Sequence, residues 1–487
     1  MGNRSAKQVL PCSLSVATLA ILVGGIAAGR PSAVMASGCP GSGGQSSGPD
    51  VVAGDITAPT NYSAVGDHEA LSLGATACNL GDAPIQVDAC PAPTHPVIAQ
   101  DLFRWTTVNG ATRFEQIGQS WLMHTFAPLQ GATCCSTCQA AGSARLGPGC
   151  SNPDSSALTG AQSALGPKYL VNPHTGQFSA TCPPHPSGGN SGRLEVAIAD
   201  LVFTGGGPGA LTRYFAQLQY VSADDAAARN QNNNCSTREI GVSGGGEAWQ
   251  FSLLGTTQRE LPSIRLWGEI DRGIVETDID MPEDDSLSGL VILEANATTL
   301  SNGLTHYEYA VFNMNSDRSI GGFSVPVSPY ATVTNIGFHD VDYRGGDGPG
   351  GVDVDGTDWP GIFSNGRVAW ATTPFSLNPA ANAIRWGTLF NFRFDADVPA
   401  ATGNISLDQF KVVNTLTAAT VIPATVQCLK GDVNVDGLLN GSDIAGFSSL
   451  FSGGNSTAAQ RCACDANSDG SLNEADVPLF AALLLNA

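Results

Sequence analysis

Asp432-Val433-Asn434-Val435-Asp436-Gly437-Leu438-Leu439-Asn440-Gly441-Ser442-Asp443 is written again near the end of the chain as Asp465-Ala466-Asn467-Ser468-Asp469-Gly470-Ser471-Leu472-Asn473-Glu474-Ala475-Asp476. Positions 1, 3, 5, 6, 9 and 12 read Asp, Asn, Asp, Gly, Asn and Asp in both copies. A hard cation such as Ca²⁺ takes roughly six to eight oxygens, and a loop of this length supplies them from positions 1, 3, 5, 7, 9 and 12, with glycine at 6 for a sharp turn. The expected ligands are therefore Asp432, Asn434, Asp436, Asn440 and Asp443 with the Leu438 carbonyl, and Asp465, Asn467, Asp469, Asn473 and Asp476 with the Ser471 carbonyl. The duplication continues past the loops, where Ile444, Phe447, Leu450 and Phe451 recur as Val477, Phe480, Leu483 and Leu484. That spacing marks one face of a helix, so each loop feeds an amphipathic helix and the two faces can pack on each other. Pro478 falls in the first turn of the second helix, where a missing N–H is tolerated.

A pair of loop-plus-helix units, each loop closed by Asp at position 12 and not preceded by a helix, resembles a type I dockerin, the module that plugs secreted proteins into cohesin domains. The resemblance covers residues 431–485 and implies two calcium sites, a small all-α domain at 428–487 and a cohesin-type partner. Such modules commonly carry their cohesin contacts at loop positions 10 and 11, often as Ser or Thr. Here these are Gly441-Ser442 and Glu474-Ala475, unlike pairs that argue for a single binding orientation using the first repeat, with Ile444, Phe447, Val477 and Phe480 turned inward.

Composition bounds the rest of the chain. Its 487 residues include 58 Gly and 29 Pro, and only 13% are charged, which describes a loop-rich, β-leaning globular protein. A formal charge of −21 disfavours nucleic acid and anionic membrane as partners and suits calcium and extracellular solubility. Arg4 and Lys7 precede an apolar run over 14–28, and Val34-Met35-Ala36 stands before Ser37. This reads as a secretory signal over 1–36, leaving no membrane attachment after cleavage. Of the 13 cysteines the signal removes Cys12. Nine of the others, Cys39, Cys78, Cys90, Cys134, Cys135, Cys138, Cys150, Cys182 and Cys235, fall in the body, and Cys428, Cys462 and Cys464 fall in the tail. Disulfides are the default in an oxidising compartment. Both counts are odd, so either one bridge joins body to tail or each part keeps an unpaired thiol.

Along the chain, 37–50 reads as a flexible Gly/Ser leader, 51–210 as a Cys-rich β-leaning region and 211–424 as a β-sandwich-like region. Period-two runs such as Leu194 to Ile198, Tyr214 to Tyr220, Trp249 to Leu253, Tyr307 to Val311 and Phe390 to Phe394 predict strands, and Ala223 to Asn230 a brief helix. The fold class is thus mainly β: a disulfide-bearing, β-sandwich-like body followed by the small helical tail. The stretch 415–427 is short and apolar, so the tail is expected to pack on the body.

Further constellations in the body carry weaker signals. His95, His124 and His174 are imidazoles that could hold zinc or copper, but their spacing matches no ligand signature. Cys134, Cys135, Cys138 and Cys150 read as disulfide partners before thiolate ligands. Asp340, Asp342, Asp353, Asp355 and Asp358 form a Gly-rich acidic segment, a third candidate calcium site or a solvated loop. Glycoside hydrolysis needs two acids flanking one bond, and Glu195, Glu276, Glu308 and Asp358 are candidates that nothing in the sequence ranks. Tryptophans 105, 121, 249, 267, 359, 370 and 386 include candidates for a sugar-stacking platform, though most belong to a core. Proteins that bear dockerins mostly act in polysaccharide breakdown, so the resemblance implies a secreted, calcium-binding, scaffold-docked component whose body binds an extracellular polysaccharide or surface polymer, or a glycoside hydrolase; the third reading is a calcium-stabilised surface protein with no cohesin partner.

Overall fold

The computed structural model describes residues 38–487 apart from 40–44, 89–91, 93–94, 125–127, 179–182, 205–206, 208 and 285–286. The signal segment, Cys90 and Cys182 lie outside the described residues. Strands form where period-two alternation was read, at Leu194–Ala197, Thr212–Val221, Ala248–Leu253, Thr305–Asn313 and Thr388–Ala396, and the brief helix is Ala223–Ala228.

The first sheet has eleven strands. Its main path runs Val51–Val65, His68–Asn79, Leu194–Ala197, Ala111–Gln119, Val97–Val108, Thr212–Val221, Cys235–Gly245 and Ala248–Leu253, each antiparallel to its neighbour. The sheet curls until its ends meet: Asn61 Nδ2 donates to the Phe251 carbonyl at 3.3 Å, and the Phe251 N–H donates back to Asn61 Oδ1 at 3.0 Å. Inside the curl Leu71, Leu73, Ile98, Leu218 and Tyr220 form a buried core. A boundary expected near residue 210 falls inside this sheet, because Thr212–Val221 pairs along its whole length with Val97–Val108. The chain leaves the sheet only after Leu253. The leader expected to be flexible is held over 45–50, where Gln45 donates to the Gly81 carbonyl, Asn230 to the Pro49 carbonyl, and the Gly48 N–H to Asp82.

Two five-stranded antiparallel sheets follow and pack face to face as a β-sandwich. One runs Val275–Pro282, Ser288–Thr299, Thr305–Asn313, Thr388–Ala396, Val333–His339; the other runs Ile362–Ser364, Arg367–Ala371, Ile320–Pro326, Ala400–Gln409, Thr415–Pro423. Tyr309, Phe392 and Phe394 meet Phe323 and Trp370 between them, with the Phe323 and Phe392 rings stacked at 4.5 Å. The stretch read as a boundary to the tail is therefore mostly the last strand, Thr415–Pro423.

The sheet containing Ser288–Thr299 is covered on both faces. Val291, Leu293 and Val311 point into the sandwich, whereas Leu290, Ile292, Phe312 and Leu389 pack against Phe103 and Phe114 of the first sheet and Trp267 of the connection that follows it. This explains the unbroken apolar run 290–293, since alternation disappears when neither face meets water. Towards the edge of the same outward face the residues turn polar, from Phe312 and Ala310 to Glu308 and His306 on one strand and to Arg393 and Asp395 on the next.

The tail folds as three helices, Asp443–Phe451, Ala458–Cys464 and Asp476–Leu485. The middle one corrects the expectation that no helix precedes the loops: it ends directly at Asp465, and Thr457 and Gln460 form a reciprocal capping box at its start. Disulfides join Cys39 to Cys135, Cys78 to Cys134, Cys138 to Cys150 and Cys428 to Cys462, while Cys235 and Cys464 are free and buried. Among the described residues no bridge joins body to tail.

Candidate functional site

Both loops are built by the same hydrogen bonds. In the first, Asp432 accepts from the N–H groups of Asp436 and Gly437, and Asp443 accepts from those of Val433, Asn434 and Asn440. In the second, Asp465 accepts from Asp469 and Gly470, and Asp476 from Asn467 and Asn473. Positions 4 and 6 are left-handed in each, with φ of 59° at Val435, 83° at Gly437, 62° at Ser468 and 87° at Gly470. Glycine takes that conformation without the Cβ clash that opposes it elsewhere, which accounts for Gly at position 6.

The donor set fits a calcium ion. Asp432, Asp443, Asp465 and Asp476 are buried, at 5%, 0%, 1% and 0% exposure. Buried carboxylates are costly without a compensating positive charge. Among the described residues no ion pair is formed by Asp432, Asp443 or Asp476. Among them, too, no three His, Cys, Asp or Glu side chains gather around one point, so Asn434, Asn440, Asn467, Asn473 and the carbonyls of Leu438 and Ser471 have to complete any ligand set.

The helix faces divide differently from the expectation. Phe447 and Phe480 stack at 4.0 Å between ring centroids and are buried with Val433, Leu450, Ala463 and Cys464. Ile444 and Val477, expected inside, are 52% and 43% exposed. The inward stripe is narrow because the middle helix fills the space beside the Phe pair, leaving Ile444 and Val477 on the outer side with Leu438 and Leu479. Gly441, Ser442, Glu474 and Ala475 are all exposed.

The tail also touches the body. Tyr330 OH donates to Asp465 Oδ2 at 2.7 Å, Lys430 Nζ reaches the same hydroxyl at 3.2 Å, and Arg461 Nε donates to the Tyr330 carbonyl at 2.6 Å. Arg461 pairs with Asp397 at 2.5 Å, and Ala458 is buried against the sandwich core. Burial pushes the Tyr330 phenol up to about 12, reinforced by its hydrogen bond to Asp465 and that carboxylate's charge, so it stays a donor.

The remaining candidates are dispersed. His95 Nε2 and His124 Nδ1 are hydrogen-bonded to each other at 2.6 Å, and burial, with the charges of His95 and His185, lowers His124 to about 3. His174 is buried within electrostatic reach of Glu283, and among the described residues the three histidines form no metal-sized group. In the acidic segment Asp353 accepts from the Gly346 N–H, Asp355 from Thr357 and Asp340 from Asn382, so its carboxylates are engaged separately. Burial raises Asp340 to about 6, against the Asn382 hydrogen bond. Glu195 pairs with Arg344, Glu276 with Arg265, and Asp358 is exposed. Glu308 pairs with Arg113 at 3.0 Å and lines a cavity. Trp267, Trp359 and Trp370 are fully buried core residues.

Residues 430–485 match the dockerin type I domain, so the C-terminal region is a type I dockerin. Domains of this class bind calcium and take cohesins as partners, and proteins that bear them are typically extracellular. No curated protein matches the chain. Among solved structures, a complex of the Amycolatopsis orientalis exo-chitosanase CsxA with PNP-beta-D-glucosamine is 7% identical with a TM-score of 0.14, covering 72% of this chain and 25% of that one. The crystal structure of the same enzyme is 6% identical at a TM-score of 0.14, covering 76% and 26%. The chain thus spans about a quarter of that enzyme's length, and a likeness of this size carries no argument.

Proposed function

We propose that the protein is a secreted, calcium-binding docking component linked to polysaccharide breakdown, carried to a cohesin-type partner by its tail. The observation that carries this is the pair of matched loops with buried carboxylates inside a dockerin domain. Calcium would be held by Asp432, Asn434, Asp436, Asn440, Asp443 and the Leu438 carbonyl in one loop. In the other, Asp465, Asn467, Asp469, Asn473, Asp476 and the Ser471 carbonyl would hold it. The ion would offset the buried carboxylates of each loop, and because an assembled site exists only in the folded tail, its binding free energy is folding free energy. The partner surface comprises Ser442 and Ile444 on the first repeat and Glu474 and Val477 on the second, all exposed. Glu474 puts a carboxylate on the second face, which a partner fitted to Ser442 rejects.

Calorimetric titration of calcium into the full chain, followed by capture on a cohesin panel, tests this. Two equivalents should bind, and Asp436→Ala with Asp469→Ala should abolish both uptake and capture. Ser442→Asp should weaken capture at least tenfold, about 1.4 kcal/mol, while Glu474→Ala leaves it unchanged. Uptake that survives the double substitution overturns the ligand assignment. A second reading, a calcium-stabilised tail that clamps its own body and has no cohesin, is favoured by the Tyr330–Asp465 and Arg461–Asp397 contacts. Calcium uptake without capture by any cohesin would select it.

A further inference from the structure

Where the first unit meets the edge of the sandwich there is a cleft of about 400 Å³, within the ~300–1,000 Å³ range of small-molecule sites. Its charged and polar lining includes Arg113, His306, Glu308, Asn335, Arg393 and Asp395. These come from four strands. His306 and Glu308 sit on Thr305–Asn313 opposite Asp395 and Arg393 on Thr388–Ala396, Asn335 comes from the neighbouring strand, and Arg113 reaches across from the first sheet.

Most of these groups satisfy one another. His306 Nδ1 meets Asp395 at 2.6 Å and its Nε2 meets Glu308 at 3.1 Å; Arg113 pairs with Glu308 at 3.0 Å and Glu115 at 3.5 Å; Asn335 donates to Asp395 at 2.6 Å. What is left over is specific: Arg393 Nη1, Arg113 Nε and Glu308 Oε1 are buried without a hydrogen-bond partner. Burial, with the charge of Arg113, lowers the basicity of Arg393 in spite of Glu308 and Glu115. The fold makes room for this guanidinium. A β-carbon at Gly337 would stand 2.6 Å from Arg393 Nε, and the strand slips register between Thr334 and Gly337, where Asn335 has φ of 53°. Such bulges re-aim side chains beside binding sites.

Two leftover donors on guanidinium groups beside a leftover carboxylate oxygen call for a ligand that is an anion at one point and a hydroxyl donor at another. A simple dicarboxylate would be repelled by Glu308 and Asp395, and a neutral polyol would leave Arg393 uncompensated. Val108, Ala111 and Leu300 add an apolar wall for the C–H face of a ring. We propose that this cleft binds an anionic sugar unit of an extracellular polysaccharide, its acid group paired with Arg393 and a ring hydroxyl donated to Glu308. This rests on the proposed link to polysaccharide breakdown, while the residues that line the cleft all belong to the body.

The test is a titration of the full chain, with calcium present, using D-glucuronate, D-galacturonate, D-glucose 6-sulfate and D-glucose. It is followed by the side-chain nitrogen shifts of His306 and by calorimetry. At least one anionic sugar should shift His306 and bind at least tenfold more tightly than glucose; uronate against sulfate tells which acid group is read. Arg393→Met should remove that preference while melting temperature is kept or raised, because a half-buried guanidinium with no ion pair among the described residues is lost. Glu308→Gln should weaken every sugar. Capture on the cohesin panel is read on the same preparations as a separate measurement, so cleft and docking fail separately. Equal binding of glucose overturns the anionic assignment while sparing the polysaccharide reading. No His306 shift with any sugar, or a preference that survives Arg393→Met, overturns the site.

Discussion

His306 shows how a single side chain can be tuned by its neighbours. Burial works against its charge, but the hydrogen bonds and charges of Glu308 and Asp395 outweigh it and raise its pKa above the ordinary 6.5. Arg113 and Arg393 are the other charged groups that line the same cleft. A group whose folded pKa is raised contributes stability that is fully present below its unfolded pKa and lost as pH rises through the folded one. Unfolding free energy should therefore fall as pH rises from near 6.5 through the folded pKa of His306. His306→Gln should flatten that slope, read from urea midpoints across the range. A slope that persists in the variant places its origin in another group.

At the scale of elements, the middle tail helix explains the odd cysteine counts. Cys462 and Cys464 stand two apart on Ala458–Cys464; the first reaches Cys428 on the connection from the body, and the second turns into the Phe447–Phe480 core. Burial, with the charge of Asp476 adding to it, pushes the Cys464 thiol up to about 12. Thiolate is the reactive form, so iodoacetamide at pH 8 should leave Cys464 unmodified in the native chain and label it fully in urea. Non-reducing peptide mapping should return Cys428 linked to Cys462. Rapid native labelling of Cys464, or a mapped bridge from the tail to Cys235, would contradict this packing. The helix itself had a sequence signal, the Thr457-x-x-Gln460 capping box, which the loop duplication overshadows.

For the whole molecule the question is whether the tail is a tethered module or part of the body. Ala458 enters the sandwich core, Arg461 holds Asp397 and the Tyr330 carbonyl, and Tyr330 bonds the first-position carboxylate of the second loop. Outer partners that orient a metal-binding carboxylate typically tune affinity by roughly tenfold or more. Tyr330→Phe should thus weaken calcium at the second loop about tenfold and leave the first unchanged, giving two separable steps in calorimetry. Arg461→Ala should speed proteolysis across 424–427 with the tail still folded. Identical calcium isotherms for Tyr330→Phe and the parent would show that the contact is passive.

The loops, their helices and the β character of the body were legible because each depends on local chemistry: oxygens at fixed spacing, glycine where φ is positive, and alternation wherever one face meets water. Four features were not. Ile444 and Val477 carry the same periodic signal as Phe447 and Phe480, and only the placement of the middle helix decides which pair is buried. The expected boundary near residue 210 dissolved because strand pairing joins segments more than a hundred residues apart, as Thr212 and Thr106 do. Glu308 was one acid among several until the sheet register set it beside Arg393 and across from Arg113. The meeting of Tyr330 with Asp465 joins residues 135 positions apart. Sequence by itself determined which short stretches could turn, cap, alternate or ligate, since those energies are settled within a few residues. Which faces meet, and which charges are left without a partner, was decided by the tertiary structure, because burial and pairing belong to residues brought together only when the sheets close.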